Sequence, residues 1–430
     1  LEYIFNVTPL RFSKYSLTIV KKIIIIDPSL DGGIAHYTFA LCNALAAAGS
    51  QVSLVTQPGT YELSKLKRSF EIVPLLQPEP RRDSLPQKIV GKLNAKIHPN
   101  YWCESLGKQV GQYIQSQKVQ IVHQQWTTNP ETEPIFWAAM SRQFPGRLPL
   151  VYTAHNVLPH ESSAELADKY RNLYLHPERI VVHGEKLRQQ MIQEAAVPEQ
   201  KLRVIPLGNY HHIAEAAPLV PQSEARARLE LSSHCRVILF LGAIRSYKGL
   251  DVLLLAFERL LHRHSGISYK LLVAGRLWGN EKWDQSLYGG LCRSLKITDF
   301  VQVHQGYIPL SDFGLYFGAA DIACFPYRSA SQSAALQLAY SYRKPVIGTS
   351  VGSLSEVVVE GQTGRVVRPE EPDELADALQ ALLSDPVKCR QMGDYAYQWA
   401  RDEYSWENIA QRTLDMYGEM ETGGRRKHTP

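Results

Sequence analysis

"VILFLGAIRSYKGLD", residues 237–251, runs from five apolar residues into a glycine-bracketed turn carrying Arg245 and Lys248, then into the apolar-periodic helix "LDVLLLAFERLLH". A short run that is apolar at every position reads as a strand buried on both faces, and a helix directly behind it makes half of a βαβ unit. Open α/β sheets bind ligands at the carboxyl ends of their strands, where these two cations fall. Arg245 offers a planar fork and Lys248 a compact charge, a pair suited to a diphosphate; the alternative is a solvated helix start.

Working outward, the same alternation recurs along the chain. Before the turn come "IIII" (23–26), "VSLV" (52–55), "QIV" (120–122), "LVYT" (150–153) and "IVV" (180–182). After it come "LLVAG" (271–275), "VQVHQG" (301–306), "IACF" (322–325) and "PVIGT" (345–349). Between the two series lies "HHIAEAAPLVPQSEA", read as a linker. Two consecutive Rossmann-like, doubly wound α/β domains follow, with a cleft where the carboxyl ends of both sheets face. The expected boundaries are 1–212 for the first domain, 222–400 for the second and 401–420 for a final amphipathic helix. Residues 1–21 carry no weight in this reading, and the tail "ETGGRRKHTP" is expected to be disordered.

Composition fits this division. A chain of 430 residues with 44% hydrophobic and 21% charged content is too long for one comfortable core. Its net charge of +5 permits an anionic ligand but falls short of a nucleic-acid-binding signature, so no nucleic-acid partner is expected. The six cysteines, Cys42, Cys103, Cys235, Cys292, Cys324 and Cys389, have no paired spacing, which fits a reducing cytoplasm and no zinc site. No apolar run approaches the roughly 18–20 residues that span a bilayer, and the first twenty residues lack the pattern of a secretory signal. A cytoplasmic protein is expected. The stretch 81–102, with Arg81, Arg82, Lys88, Lys92 and Lys96 among apolar residues, reads either as a solvated basic face or as a peripheral contact with an anionic membrane.

Three further stretches carry chemistry. In "DPSLDGGIAHYTFALCNALAAAG", Gly32 and Gly33 stand directly before an Ala-rich helix, where bare amides suit a phosphate or a sugar hydroxyl. The pattern is not GxGxxG and no acidic residue follows the second strand, which argues against a nicotinamide dinucleotide. In "YRSASQSAALQLAY", Ser331 or Ser333 is the expected helix N-cap, and the first-turn amides, from Ala334 on, make a second anion site. "TAHNVLPHE" brings His155, Asn156, His160 and Glu161 to a strand end; His123 in "IVHQQW" is a weaker candidate, and His183 in "VVHGEKL" is read as a helix start. No DxD pair occurs, so a metal-bridged diphosphate is not expected, no cofactor is called for, and protein cations would take the metal's place.

Taken together, "GGIAHYT", "TAHNVLPHE", "VHGEKL", "VIPLGNY", "GAIRSYKGLD", "GYIPLSDFGLYFGAADIACFPY", "KPVIGTSVGSLSEVV" and "SWENIA" resemble the retaining GT-B glycosyltransferases of family 4, from about Lys22 to Met420. The resemblance implies a hexosyl transfer from a nucleotide diphospho-sugar to a glycan or lipid-linked acceptor in polysaccharide or glycoconjugate assembly. It assigns His155, Arg245 and Lys248 to catalysis and implies donor contacts at Gly32, Gly33, Gly306, Tyr307, Ile308, Ser331, Gln332, Ser333, Ala334 and Gln337. The acceptor would meet His36, Tyr37, His123, Asn156, His160 and Glu161. The last helix is expected to cross back to the first domain. One departure is plain: where the family carries a Glu, seven residues, then a second Glu, this chain has Ala330 and Leu338, with Gln332 and Gln337 nearby. Two rival readings use the same scaffold, a nucleotide-sugar epimerase and a GT-B protein that binds without turnover.

Overall fold

The computed structural model describes residues 21–29, 32–59, 66–76, 99–127, 129–144, 146–158, 163–263, 266–278 and 282–425. Two sheets organise them. The first has seven strands, β1 (Lys22–Ile26), β2 (Gln51–Val55), β3 (Glu71–Val73), β4 (Ile121–Gln124), β5 (Leu150–Thr153), β6 (Arg179–Val182) and β7 (Leu202–Val204), in the order 3-2-1-4-5-6-7. The second has six, β8 (Arg236–Leu241), β9 (Tyr269–Gly275), β10 (Val301–Gln305), β11 (Ile322–Phe325), β12 (Val346–Thr349) and β13 (Gly364–Val367), in the order 10-9-8-11-12-13. Neighbouring strands are parallel in both sheets. In each, the order reverses beside the first strand, the switch point at whose carboxyl ends open α/β sheets bind ligands.

The apolar runs explain the centre of each sheet. Ile23–Ile26 of β1 pair with Val52–Val55 on one side and Ile121–Gln124 on the other, and all four isoleucines are buried. Helices such as Gly32–Ala47 and Leu250–Arg263 cover the faces. Strands β3, β7 and β13 were not visible as apolar runs: each has only three or four residues and includes a charged residue or a glycine.

Two expectations need correction. The stretch read as a linker holds helices His211–Ala216 and Gln222–Arg228, because Ile213, Ala217, Ala225 and Leu229 all find buried positions. The final helix runs from Trp406 to Arg425, so the expected disordered tail begins helical. This helix lies on the first domain. Tyr417 Oη is 2.6 Å from His123 Nδ1, Arg203 pairs with Glu419 at 2.6 Å and Lys21 with Glu421 at 3.3 Å. Its start is fixed where the chain first crosses between domains: Trp406 Nε1 donates to the Asn209 carbonyl and the Asn209 amide to the Tyr404 carbonyl, both at 2.8 Å.

His123 is thus a core histidine, not an acceptor contact. It is 1% exposed, and its other ring nitrogen is 2.7 Å from Thr153 Oγ1. Tyr417→Phe leaves one buried ring nitrogen unpaired and should destabilise the protein by about 1–3 kcal/mol, read as a lower urea midpoint.

Candidate active site at the seam between the sheets

The 242–251 turn is built around two close approaches. Gly249 has φ +66, and a Cβ there would stand 2.0 Å from the Pro326 carbonyl oxygen, so only glycine fits. Lys248 folds back toward Gly242, its Nζ 3.2 Å from where a Gly242 Cβ would be and 5.5 Å from the Tyr327 ring centroid. Arg328 ties the turn down, bonding to the Ser246 carbonyl at 2.8 Å and to Asp251 at 2.7 and 2.9 Å. Asp251 is therefore spent on Arg328, and neither Arg245 nor Lys248 has an ion-pair partner among the described residues. Arg245 lies flat on Trp278, its guanidinium carbon 3.6 Å from the ring centroid. Desolvation lowers the Lys248 pKa below the ordinary lysine value; Tyr247 opposes the shift and the Arg245 charge adds to it.

Tyr327, beside Lys248, also meets Ser333 at the start of helix Ala334–Ser341. Ser333 is its N-cap, the hydroxyl accepting from the Leu336 amide at 3.2 Å; Ser331 is not a cap, and its carbonyl accepts from the Ser353 amide at 3.1 Å. Gly33, from the first domain, abuts this helix: a Cβ there would meet Ala334 Cβ at 3.2 Å. The Tyr210 hydroxyl donates to the Gly33 carbonyl at 3.2 Å, while Gly32 takes φ +76. A cavity of about 150 Å³ follows, lined by Gln332, Ser333 and Gln337 on one side and His183 and Gly184 on the other. Gln337 is buried with both amide atoms unpartnered among the described residues, whereas Leu338, at the second family Glu position, is packed in the apolar core. Gly306 sits at φ +151 with its amide on the Gly275 carbonyl; Tyr307 beyond it is exposed and Ile308 packs on the core.

The first domain contributes a buried histidine pair. His183 Nδ1 is 2.9 Å from the Ile205 carbonyl and its Nε2 is 3.2 Å from His155 Nδ1; that same His155 nitrogen is 3.3 Å from the Gln332 amide across the seam. His183 follows β6 and is held in this network; the helix behind it begins at Glu185. Tyr37 is 1% exposed and packs edge-on against both rings, at 5.2 and 5.0 Å, so it braces the pair from behind instead of meeting an acceptor. Asn156 and His36 are half-buried, and His36 lies 6.3 Å from the Tyr210 ring. His160, Glu161 and most of the basic stretch, 81–98, lie outside the described residues.

A carboxylate closes the seam. Glu356 accepts from the Glu185 amide at 2.9 Å and the Lys186 amide at 2.8 Å, capping a first-domain helix from the second domain, and Lys186 Nζ reaches Ser355 Oγ at 2.6 Å. Sequence reasoning did not find Glu356, Trp278 or Arg328, which act only through partners far off in the chain.

Burial sets an acid limit on this arrangement. It lowers the pKa of His183 and His211 to about 4 and of His123 and His212 to about 3, and takes His155 well below the ordinary value. Unfolded histidine takes up a proton near pH 6.5, which these rings resist, so the stability they hold above that pH is lost as pH falls toward 4. Burial raises Asp27 to about 6, Glu133 to about 7 and Glu178 above its ordinary value, which favours the folded state on acidification, but these three carboxyls are outnumbered by the histidines whose pKa burial lowers. The melting temperature should therefore fall between pH 7 and pH 5, by roughly 2–4 °C per kcal/mol lost, in a scanning fluorimetry series.

Residues 31–208 match Glycosyltransferase Family 4 and residues 221–399 match Glycosyl transferases group 1. D-inositol 3-phosphate glycosyltransferase of Nocardia farcinica is 29% identical over 285 residues, 63% of this chain and 61% of that protein. The chain thus spans about three-fifths of that relative's length. Among solved structures, sucrose-phosphate synthase from Thermosynechococcus elongatus superposes with a TM-score of 0.71 at 20% identity, over 94% of this chain and 100% of that one. Anabaena HepE in complex with UDP-glucose does so with 0.70 at 16%, over 93% and 99%. Two parallel sheets facing across a seam, each with its own family match, place this chain among the GT-B glycosyltransferases of family 4.

Proposed function

We propose that the protein transfers a sugar from a nucleotide diphospho-sugar to a hydroxyl of a glycan or lipid-linked acceptor, with retention at the anomeric carbon. The observation that carries this reading is the pair Arg245 and Lys248, two cations at a strand's carboxyl end without an ion-pair partner among the described residues. A diphosphate entering there supplies the missing anion, and the N-terminal amides of helix Ala334–Ser341 would offer it further donors. The likeness to a structure solved with UDP-glucose supports the same class of donor.

In the reaction, the bond from the anomeric carbon to the diphosphate oxygen breaks and a bond to the acceptor oxygen forms on the same face. The acceptor proton passes to the departing phosphate oxygen. Arg245 and Lys248 stabilise the negative charge that grows on the leaving group, in place of a metal ion. The desolvated ammonium of Lys248 gains most, since an anion arriving beside it restores what burial withdrew. The acceptor binds on the first domain, near Asn156 and His36.

A second reading, binding without turnover, rests on Ala330 and Leu338, which put no carboxylate at the two positions where the family carries Glu. One experiment separates the two. Thermal shifts with UDP, GDP, ADP and their glucose conjugates should show stabilisation by one nucleotide, lost in Lys248→Ala. Transfer by that variant should fall about a hundredfold in kcat/KM, the loss of one charge-assisted contact of about 3 kcal/mol. A shift without any glycoside product identifies the binding scaffold, and an unaffected Lys248→Ala variant removes the diphosphate assignment.

A further inference from the structure

Strands β8 and β9 stay side by side beyond their last paired residues. Each passes through a glycine with positive φ, Gly242 and Gly275, where a side chain on Gly275 would strike the Gly242 carbonyl. A parallel bridge then joins Ile244 to Leu277, with the Ile244 amide on the Arg276 carbonyl at 2.8 Å and the Trp278 amide on the Ile244 carbonyl at 3.1 Å. Ile244 and Leu277 point into the core, so the next residue on each segment, Arg245 and Trp278, points the other way. The backbone register thus brings these two side chains together. The Arg245 guanidinium carbon lies 3.6 Å over the Trp278 ring, the spacing of two planes in van der Waals contact.

An aromatic anchor differs from a carboxylate in what it leaves free. A carboxylate would cancel the guanidinium charge and take two of its N–H groups, as Asp251 does with Arg328. A ring uses only the face of the guanidinium and leaves its five in-plane N–H donors untouched. Arg245 has no hydrogen bond or ion pair among the described residues, and Lys248 follows the same pattern, its Nζ 5.5 Å from the Tyr327 ring centroid. We propose that Trp278 is a positioning residue: its indole holds the Arg245 guanidinium as a rigid fork with every donor free for the diphosphate, and acts through Arg245 without touching the ligand. This rests on the nucleotide-sugar reading above for the identity of the ligand. Burial, and after it the Arg245 charge, lowers the Lys248 pKa, which supports two cations bearing on one place.

Trp278 is 65% exposed and belongs to none of the apolar clusters, so its variants should fold. The test combines a spectrum with a titration. In 15N-arginine-labelled protein the Arg245 Nε–H signal, assigned by its loss in Arg245→Ala, should lie upfield through the indole ring current and move back in Trp278→Leu. By titration calorimetry with pyrophosphate and with UDP, the Kd should rise about fivefold in Trp278→Leu, the scale of ordering one long side chain, and recover to within about twofold in Trp278→Phe. In an Arg245→Ala background, Trp278→Leu should change neither Kd further, a result that a merely structural role would not give. Four results overturn the assignment: an Arg245 signal with no ring-current shift, a loss that persists without Arg245, UDP weakened while pyrophosphate is not, or tighter binding in Trp278→Leu. Pyrophosphate binding that depends on both residues, in a protein that binds no nucleotide, would sink the proposed function alone.

Discussion

The Glu356 carboxylate, seated on the Glu185 and Lys186 amides, is the contact on which the rest of the site depends. A helix start exposes amides that lack intrahelical partners, and a negative group on them is favoured by both hydrogen bonding and the helix dipole. Here the helix belongs to one domain and the carboxylate to the other, so the same bonds that finish a helix also align two sheets. Gly184 allows the approach: a side chain there would put a Cβ 2.0 Å from Ser353 Oγ. Once this seam is set, His155 reaches Gln332 and Gly33 reaches Ala334.

Across the seam the two halves of the site differ in electrical character. The second domain presents positive charge that its own carboxylates do not neutralise, with Asp251 held by Arg328 and Arg245 held over Trp278. The first domain presents rings that burial keeps neutral. Such a division suits a ligand with an anionic end and a hydroxyl-bearing end. It also protects the histidines, since protonating either ring would place a charge where burial keeps water away.

Much of the fold could be read directly. The runs "IIII", "VILFL" and "LLVAG" are apolar at every position because central parallel strands are buried on both faces, and they became β1, β8 and β9. The edge and end strands β3, β7 and β13 did not show, because a short strand with one covered neighbour needs no apolar run. The 211–225 stretch looked like a linker by composition, yet its few apolar residues fall on the buried sides of two short helices. In the site, Arg245, Lys248 and the Ser333 cap were legible because local turn and helix signals announce them. His123, Tyr37 and His183 were misread, since a histidine or tyrosine at a strand end or helix start looks the same whether it faces a ligand or the core.

By itself, then, the sequence determined the two parallel sheets, the turn that carries two cations and the helix start near it. Those features arise from periodicity, glycine placement and capping, which act over a few neighbouring residues. Only the tertiary structure decided that Glu356 closes the seam, that Tyr417 satisfies His123 and that His183 meets His155. Each of these joins residues between 28 and 294 positions apart, and which polar atoms must pair is settled only when folding brings them together out of water.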